Sequence, residues 1–274
     1  MKKTAITNLI AGLLMITALQ AQTIQEGMNH LYAKRHKSAV DVFQKLLAAN
    51  PNNIEAIYWL GQAYFNMDEN DAARQLYEKA MATNGNAPLM LVGIGHADLL
   101  DKKNNEARQR FEEALTASRN RKGDDPIVQT AIGRAIVDSK TGDFKYAIQL
   151  LLAAAAKEPK NTETLLQLGN AYRKADPGRG GSDAYIYYKK ALEVNPSFAP
   201  ASMRLAKLFE SQQNWPFVLQ YLNEAVAKDV KFSDAYYELY WYYFLRLDFK
   251  EADNQLKKYI ESKLPETDIL DEYL

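Results

Sequence analysis

Gly27, Gly61 and Gly95 stand 34 residues apart, and the same interval separates Ala39, Ala73 and Ala107, as well as Phe43, Tyr77 and Phe111. Further along, the small residue recurs at Ala147, Ala184, Val218 and Ala252, and the large residue four places later at Leu151, Tyr188, Leu222 and Leu256. A third slot, three places beyond, holds Leu46, Ala80, Ala114, Ala154, Ala191, Ala225 and Tyr259. Three slots sharing one spacing through seven copies define a repeat protein, each copy being one supersecondary unit.

Each copy holds two segments with apolar residues at helical spacing, joined by a short polar turn such as Asp68-Glu69-Asn70 or Thr141-Gly142-Asp143. The glycine or alanine of the first segment lets the second helix come close. In the second, the alanine and the large residue four places on share one face. Pro51, Pro159 and Pro196 end second helices, because proline lacks the amide donor and clashes with the preceding turn. One helix pair cannot bury both its faces, so the pairs must stack into a curved solenoid. The period slips by two residues between Gly133 and Ala147, three between Gly169 and Ala184, and four between Ala114 and Gly133. The last slip, over 118–126 (SRNRKGDDP), marks a candidate subdivision into three and four repeats; a longer helix and loop is the simpler alternative.

The slots resemble those of the tetratricopeptide repeat family. Leu165, Leu168, Gly169, Tyr172, Ala184, Tyr188, Ala191 and Pro196 fill every position of its signature in the fifth copy. The second copy carries Ile57, Leu60, Gly61, Tyr64, Ala73, Tyr77 and Ala80, with Gly85 where proline is usual. Copies six and seven depart, with Ala206 and Tyr240 at the glycine slot and Val218 in place of alanine. The resemblance runs from about Gln20 to Pro265 and implies an all-α fold, a right-handed α-solenoid of about seven helix-turn-helix repeats.

Ahead of the repeats, residues 1–21 read as a secretory signal peptide. Lys2 and Lys3 precede an uncharged, mostly apolar run, Ile6 to Leu19, and Ala21 supplies a small residue before a cut at Gln22. Leu19 is larger than the residue usually found at its place before the cut. The run is short for a membrane anchor. The chain contains no cysteine, so neither lipoprotein acylation nor disulfides are available to it. The expected location is therefore the periplasm or the cell exterior of a bacterium. The 34 basic and 34 acidic side chains balance, which provides no bulk field for nucleic acid or an anionic membrane.

Candidates for chemistry are few. His30 and His36 fall on slots that pack in other copies, and His96, with Asp98 nearby, lacks a second histidine at helical spacing. The stretch Asp176-Pro177-Gly178-Arg179-Gly180-Gly181-Ser182-Asp183 could hold an anion ahead of a helix, but lacks the lysine and spacing of a nucleotide loop and reads as a turn. No catalytic triad, carboxylate pair or metal signature stands out, so no enzyme activity, cofactor or metal is expected. The repeats also leave no room for a separate catalytic domain.

The family resemblance places function in the concave groove, on the inner face of each first helix. Carried over by register, that lining includes Tyr58, Gln62 and Phe65, then Val92, His96 and Leu99, then Thr130 and Arg134. It continues with Leu166, Asn170, Arg173, Lys174, Met203 and Lys207, and ends at Tyr237 and Trp241. Arg134, Arg173, Lys174 and Lys207 make its middle basic, suited to an acidic segment or a C-terminal carboxylate. The carboxylate clamp of some family members is not reproduced. Residues 236–244 (YYELYWYYF) are apolar or aromatic almost all round, which suits either a buried helix or an interface. Residues 267–274 resemble the start of a further first helix or a cap, so the aromatic helix is read as covered either by that added helix or by a partner. The expected function is an exported, non-catalytic scaffold for a protein or peptide in envelope assembly, secretion or surface organisation. The alternatives are a glycan- or small-ligand-binding protein of the envelope, and the regulatory arm of an enzyme lost by truncation.

Overall fold

The computed structural model describes residues 24–84, 87–139, 141–178 and 181–263. The expected signal peptide, Gly85, Arg179, Gly180, Pro265 and the further helix at 267–274 lie outside the described residues. Fourteen helices form seven antiparallel pairs among the described residues. They are 24–32 (α1) with His36–Ala49 (α2), Ile54–Asn66 (α3) with Asn70–Asn84 (α4), Pro88–Leu100 (α5) with Asn104–Ser118 (α6), and Pro126–Asp138 (α7) with Phe144–Lys157 (α8). Thr162–Ala175 (α9) pairs with Gly181–Val194 (α10), Ala199–Ser211 (α11) with Trp215–Lys228 (α12), and Ser233–Phe244 (α13) with Phe249–Lys263 (α14). None of the described helices is long and apolar enough to cross a membrane.

The sequence period is visible in the backbone. Lys34, Asp68 and Lys102 take positive φ at 55°, 59° and 63°, and Gln213 and Leu247 do so at 55° and 63°. Each lies at the same register, at the end of a first helix. The next residue donates its amide back across the last turn, as in Glu69 to the Tyr64 carbonyl (2.9 Å), Lys103 to Asp98 (2.8 Å) and Asn214 to Phe209 (2.9 Å). This left-handed cap satisfies orphan carbonyls and reverses the chain within three residues. In copies four and five, where the turns carry the extra residues, no described non-glycine residue takes this conformation.

The glycine slot is the contact point of each pair. A Cβ at Gly61 would lie 2.1 Å from the Tyr77 ring, at Gly169 2.2 Å from Tyr188, at Gly27 2.4 Å from Phe43, and at Gly95 2.6 Å from Phe111. A Cβ at Gly93 would lie 2.4 Å from the opposite edge of Tyr77, so that ring is held between two successive first helices. In copy four the facing residue is aliphatic: a Cβ at Gly133 would lie 2.5 Å from Leu151. The buried apolar cluster that starts at Ile24 continues through Leu115, Val128 and Leu151 to Ala171, so the core runs without a gap past 118–126.

The solenoid does not stay open. Ala33, between α1 and α2, is 1% exposed and shares one apolar cluster with Leu166, Phe198 and Phe232 from repeats five to seven. Tyr32 meets Phe198 edge to face at 5.8 Å. The Ser233 hydroxyl donates to the Ala33 carbonyl, Lys34 Nζ pairs with Asp234 at 2.6 Å, and Lys263 Nζ donates to the Lys34 carbonyl at 3.2 Å. The first repeat thus closes on the last two, and the concave surface becomes the wall of an internal channel.

Candidate partner-binding site

Closure changes what the expected groove residues do. Every first helix presents one stripe to the channel axis, with side chains four residues apart stacked on one face. Tyr58, Gln62 and His96 are each 3% exposed, Arg134 6% and Phe65 9%. They are interior residues rather than an open lining. Tyr77 Oη donates to the Tyr58 carbonyl (2.8 Å) and accepts from Gln62 Nε2 (3.0 Å). His96 stacks on Phe65 at 4.4 Å between ring centroids.

Two of the four residues of the expected basic middle, Arg134 and Lys207, are paired with carboxylates. Arg134 lies 3.9 Å above the Trp59 ring and donates from Nη2 to Glu163, itself bonded by Gln167 Nε2 at 2.8 Å. Lys207 pairs with Glu238 at 2.5 Å and Glu210 at 3.0 Å. Lys174 donates to the Val137 carbonyl and, at 3.4 Å, to that of Ser139. Asn170 accepts from the Tyr188 hydroxyl at 2.8 Å. Arg173 is half-buried on the same helix. Asp98, two residues on from His96, turns to the other side of α5. There it pairs with Arg74 at 2.9 Å and Arg110 at 2.6 Å, tying α4, α5 and α6 together.

Burial, with Arg134 adding to it, pushes the His96 imidazole down to about 3. Burial also drives the Glu163 carboxyl up to about 7, against the Gln167 hydrogen bond and the Arg204 charge. Below about pH 6.5 the unfolded chain takes up a proton that folded His96 refuses, so its contribution falls with acid. From about pH 4.5 to about 7 the folded chain holds a proton on Glu163 that the unfolded chain releases, so its contribution rises with acid. The two oppose each other. His96→Gln removes one side, and its stability relative to wild type should improve by about 2 kcal/mol between pH 6.5 and 5. Urea denaturation at a series of pH values measures this; parallel pH curves for both proteins would refute it.

Two cavities touch the expected lining. One, about 220 Å³ on the axis, is lined by Trp59, Asn66, Asp138, Asn170, Arg204 and Lys207 among others. The other, about 490 Å³ at the turn edge of repeats two to four, is lined by Phe65, Asn66, Asn70, His96, Asp138 and Thr141 among others. Asn66 and Asp138 line both, so the two cavities adjoin across these side chains and together make up the cleft. Asp138 is exposed on this cleft at the foot of its concave wall; partial loss of water around it raises its carboxyl, while Arg134, Arg204 and Lys174 draw it back. His96 Nδ1 and Asn70 Oδ1 are buried there without a hydrogen-bond partner. Trp59, Asn66, Asp138 and Arg204 were absent from the sequence-based lining. Asn66 and Asp138 lie one turn beyond Gln62 and Arg134 in the same register, which is the signal that would have found them.

Tyr237 and Trp241 belong to a separate surface at the last repeat. Trp241 is 38% exposed and packs against Tyr237, Tyr240 and Phe244 at 5.1 to 6.3 Å. Among the described residues, no group of three or more histidine, cysteine or carboxylate side chains could hold a metal ion.

Residues 30–93 match the family model described as tetratricopeptide repeat. No curated protein matches the chain. Among solved structures, the human IFIT1 dimer with PPP-AAAA is similar at 16% identity and a TM-score of 0.58, over 88% of this chain and 59% of that one. The present chain therefore corresponds to little more than half of that protein. Pseudomonas aeruginosa pilF is similar at 17% identity and a TM-score of 0.50, over 74% of this chain and 88% of that one. The APC/C hetero-tetramer Cut9-Hcn1 gives 13% and 0.51, over 92% and 46%. At these identities the likeness is one of fold.

Proposed function

The chain is a tetratricopeptide repeat protein, and from that premise we propose that it is an exported, non-catalytic scaffold holding a peptide segment of a partner protein in the cleft between repeats two to four and the channel axis. The observation that carries this reading is the cleft's lining. Amides (Asn66, Asn70), a neutral imidazole (His96), a carboxyl (Asp138) and a guanidinium (Arg204) converge there, two of them with buried atoms lacking a partner. Such a mixed set suits a peptide main chain, which brings its own donors and acceptors. A carboxylate on the partner, terminal or acidic, would meet Arg204, since Arg134 and Lys207 already have carboxylates. The same compensation argues against a polyanion, although the similar IFIT1 structures hold PPP-AAAA or m7Gppp-AAAA.

The signal-like residues 1–21 support export and work in envelope assembly, secretion or surface organisation. N-terminal sequencing of protein from a periplasmic or culture fraction should begin at Gln22. An N-terminus at Met1 in the cell interior alone would end the export part of the reading. Partner capture from an envelope extract should be lost in Arg204→Glu and weakened in Asn66→Ala, with the fold intact by circular dichroism. Retention of every partner by the double variant would reject the cleft.

The exposed Trp241 cluster favours a second reading, capture of a glycan by stacking on aromatic faces. Glycan-array binding abolished by Trp241→Ala would move the function to the last repeat.

A further inference from the structure

We propose that the seam where the superhelix closes is a binding site for an oxyanion, phosphate or carboxylate, built around Arg35. This site lies apart from the cleft and does not depend on the peptide reading. Arg35 is 5% exposed. Its guanidinium forms no ion pair among the described residues, and its Nε is buried without a hydrogen-bond partner. A guanidinium cannot shed its charge, so removing it from water without a counter-charge is strongly unfavourable unless something else supplies one.

The space beside it can. A cavity of about 500 Å³ is walled on one side by Asn29, Tyr32 and Arg35 of the first repeat, and on the other by Asn195, Ser197 and Lys231 of the turns leading into α11 and α13. The Tyr32 hydroxyl, lining the same cavity, is also buried without a partner. Three helices, α2, α11 and α13, start at this cavity, and none has a side-chain cap. Each start turns the positive end of a helix dipole toward the cavity.

The other charged groups facing the cavity are Glu26, Lys228 and Asp229. Lys228 is held by Ser202 Oγ at 2.6 Å and Glu224 at 3.2 Å, and Asp229 Oδ1 accepts the Lys231 amide at 2.8 Å. Glu26 and Asp229 keep their charges, and neither the Arg35 fork nor the Lys231 ammonium forms an ion pair among the described residues, so both can meet a ligand. A planar guanidinium matches two oxygens of a phosphate or carboxylate at once. An anion seated there touches the first, sixth and seventh repeats together and so fastens the closed ring.

The test uses the full chain, with inorganic phosphate and acetate each titrated at constant ionic strength against chloride. The expected result is saturable one-site binding by calorimetry with a matching rise in melting temperature. Saturation separates this from the general stabilising effect of phosphate as a salt. Arg35→Met should weaken binding at least about tenfold, the loss of a bidentate charge-assisted pair. It should leave the melting temperature in chloride unchanged or higher, because an unpaired buried charge gives way to an apolar chain of similar length. Lys231→Ala, at an exposed position, should weaken binding several-fold without affecting the fold, and decides the matter if Arg35→Met misfolds. Tighter phosphate binding identifies a phosphate-bearing ligand; equal or tighter acetate binding identifies a carboxylate. No saturable binding of either anion, or binding untouched by both substitutions, overturns the proposal.

Discussion

Replacing Tyr77 by alanine should cost about 3 to 5 kcal/mol of folding free energy, the range for deleting a buried aromatic ring. Tyr77 is fully buried, with Gly61 and Gly93 of successive first helices pressed to its two edges, so neither helix can collapse into the space without moving its backbone. Its hydroxyl donates to the Tyr58 carbonyl and accepts from Gln62, linking the inter-helix core to the channel wall. Tyr77→Phe separates the two contributions. It keeps the ring and should lose only about 1 to 2 kcal/mol, most of it from leaving the Gln62 amide without an acceptor. Urea denaturation of both variants checks the ranking; a Tyr77→Ala loss no larger than that of Tyr77→Phe would mean the ring is not the keystone of repeats two and three.

The second large effect is an asymmetry between the partners of one buried ion pair. Arg134 and Glu163 have side chains only 7% and 11% exposed. Removing Arg134 leaves a carboxyl that burial has already raised to about 7 and that can accept a proton. Removing Glu163 leaves a guanidinium that cannot lose its charge. Glu163→Leu should therefore cost about 3 to 5 kcal/mol, and Arg134→Met clearly less. The double variant, with both charges gone, should recover much of the Glu163→Leu loss, since a well-packed apolar pair often equals a buried ion pair. Equal losses for the two single variants would show that Arg134 reaches water through the channel.

Much of this architecture was legible in the chain. The interval between Gly61 and Gly95 set the repeat. The pairing of small first-helix with large second-helix residues anticipated the Gly61–Tyr77 contact, because both depend on neighbours within one repeat. What a first helix turns toward the axis was also readable, and Gln62, His96 and Arg134 do point there. Whether the axis is open was not readable. Closure depends on small rotations accumulated over seven repeats, and no local signal marks Ala33 as the neighbour of Ser233, 200 residues on. The same gap explains the basic groove. Arg134 and Lys207 were read along one register, while their carboxylates, Glu163 and Glu238, arrive from the next first helix at a different slot. Asp98 was set beside His96 by sequence proximity, but two residues along a helix place side chains on different faces.

Closure of the superhelix makes the groove a channel and creates the seam cavity, so it is the claim to test first. The native chain has no cysteine, and Asn29 and Lys231 face each other across the seam at exposed positions. In Asn29→Cys/Lys231→Cys protein at high dilution, a short bismaleimide should join the two sites within one molecule, giving a faster-migrating monomer on a denaturing gel and a single cross-linked peptide by mass spectrometry. An open solenoid would leave these positions on distant repeats, and the reagent would yield only singly modified monomers or linked dimers, which would contradict closure.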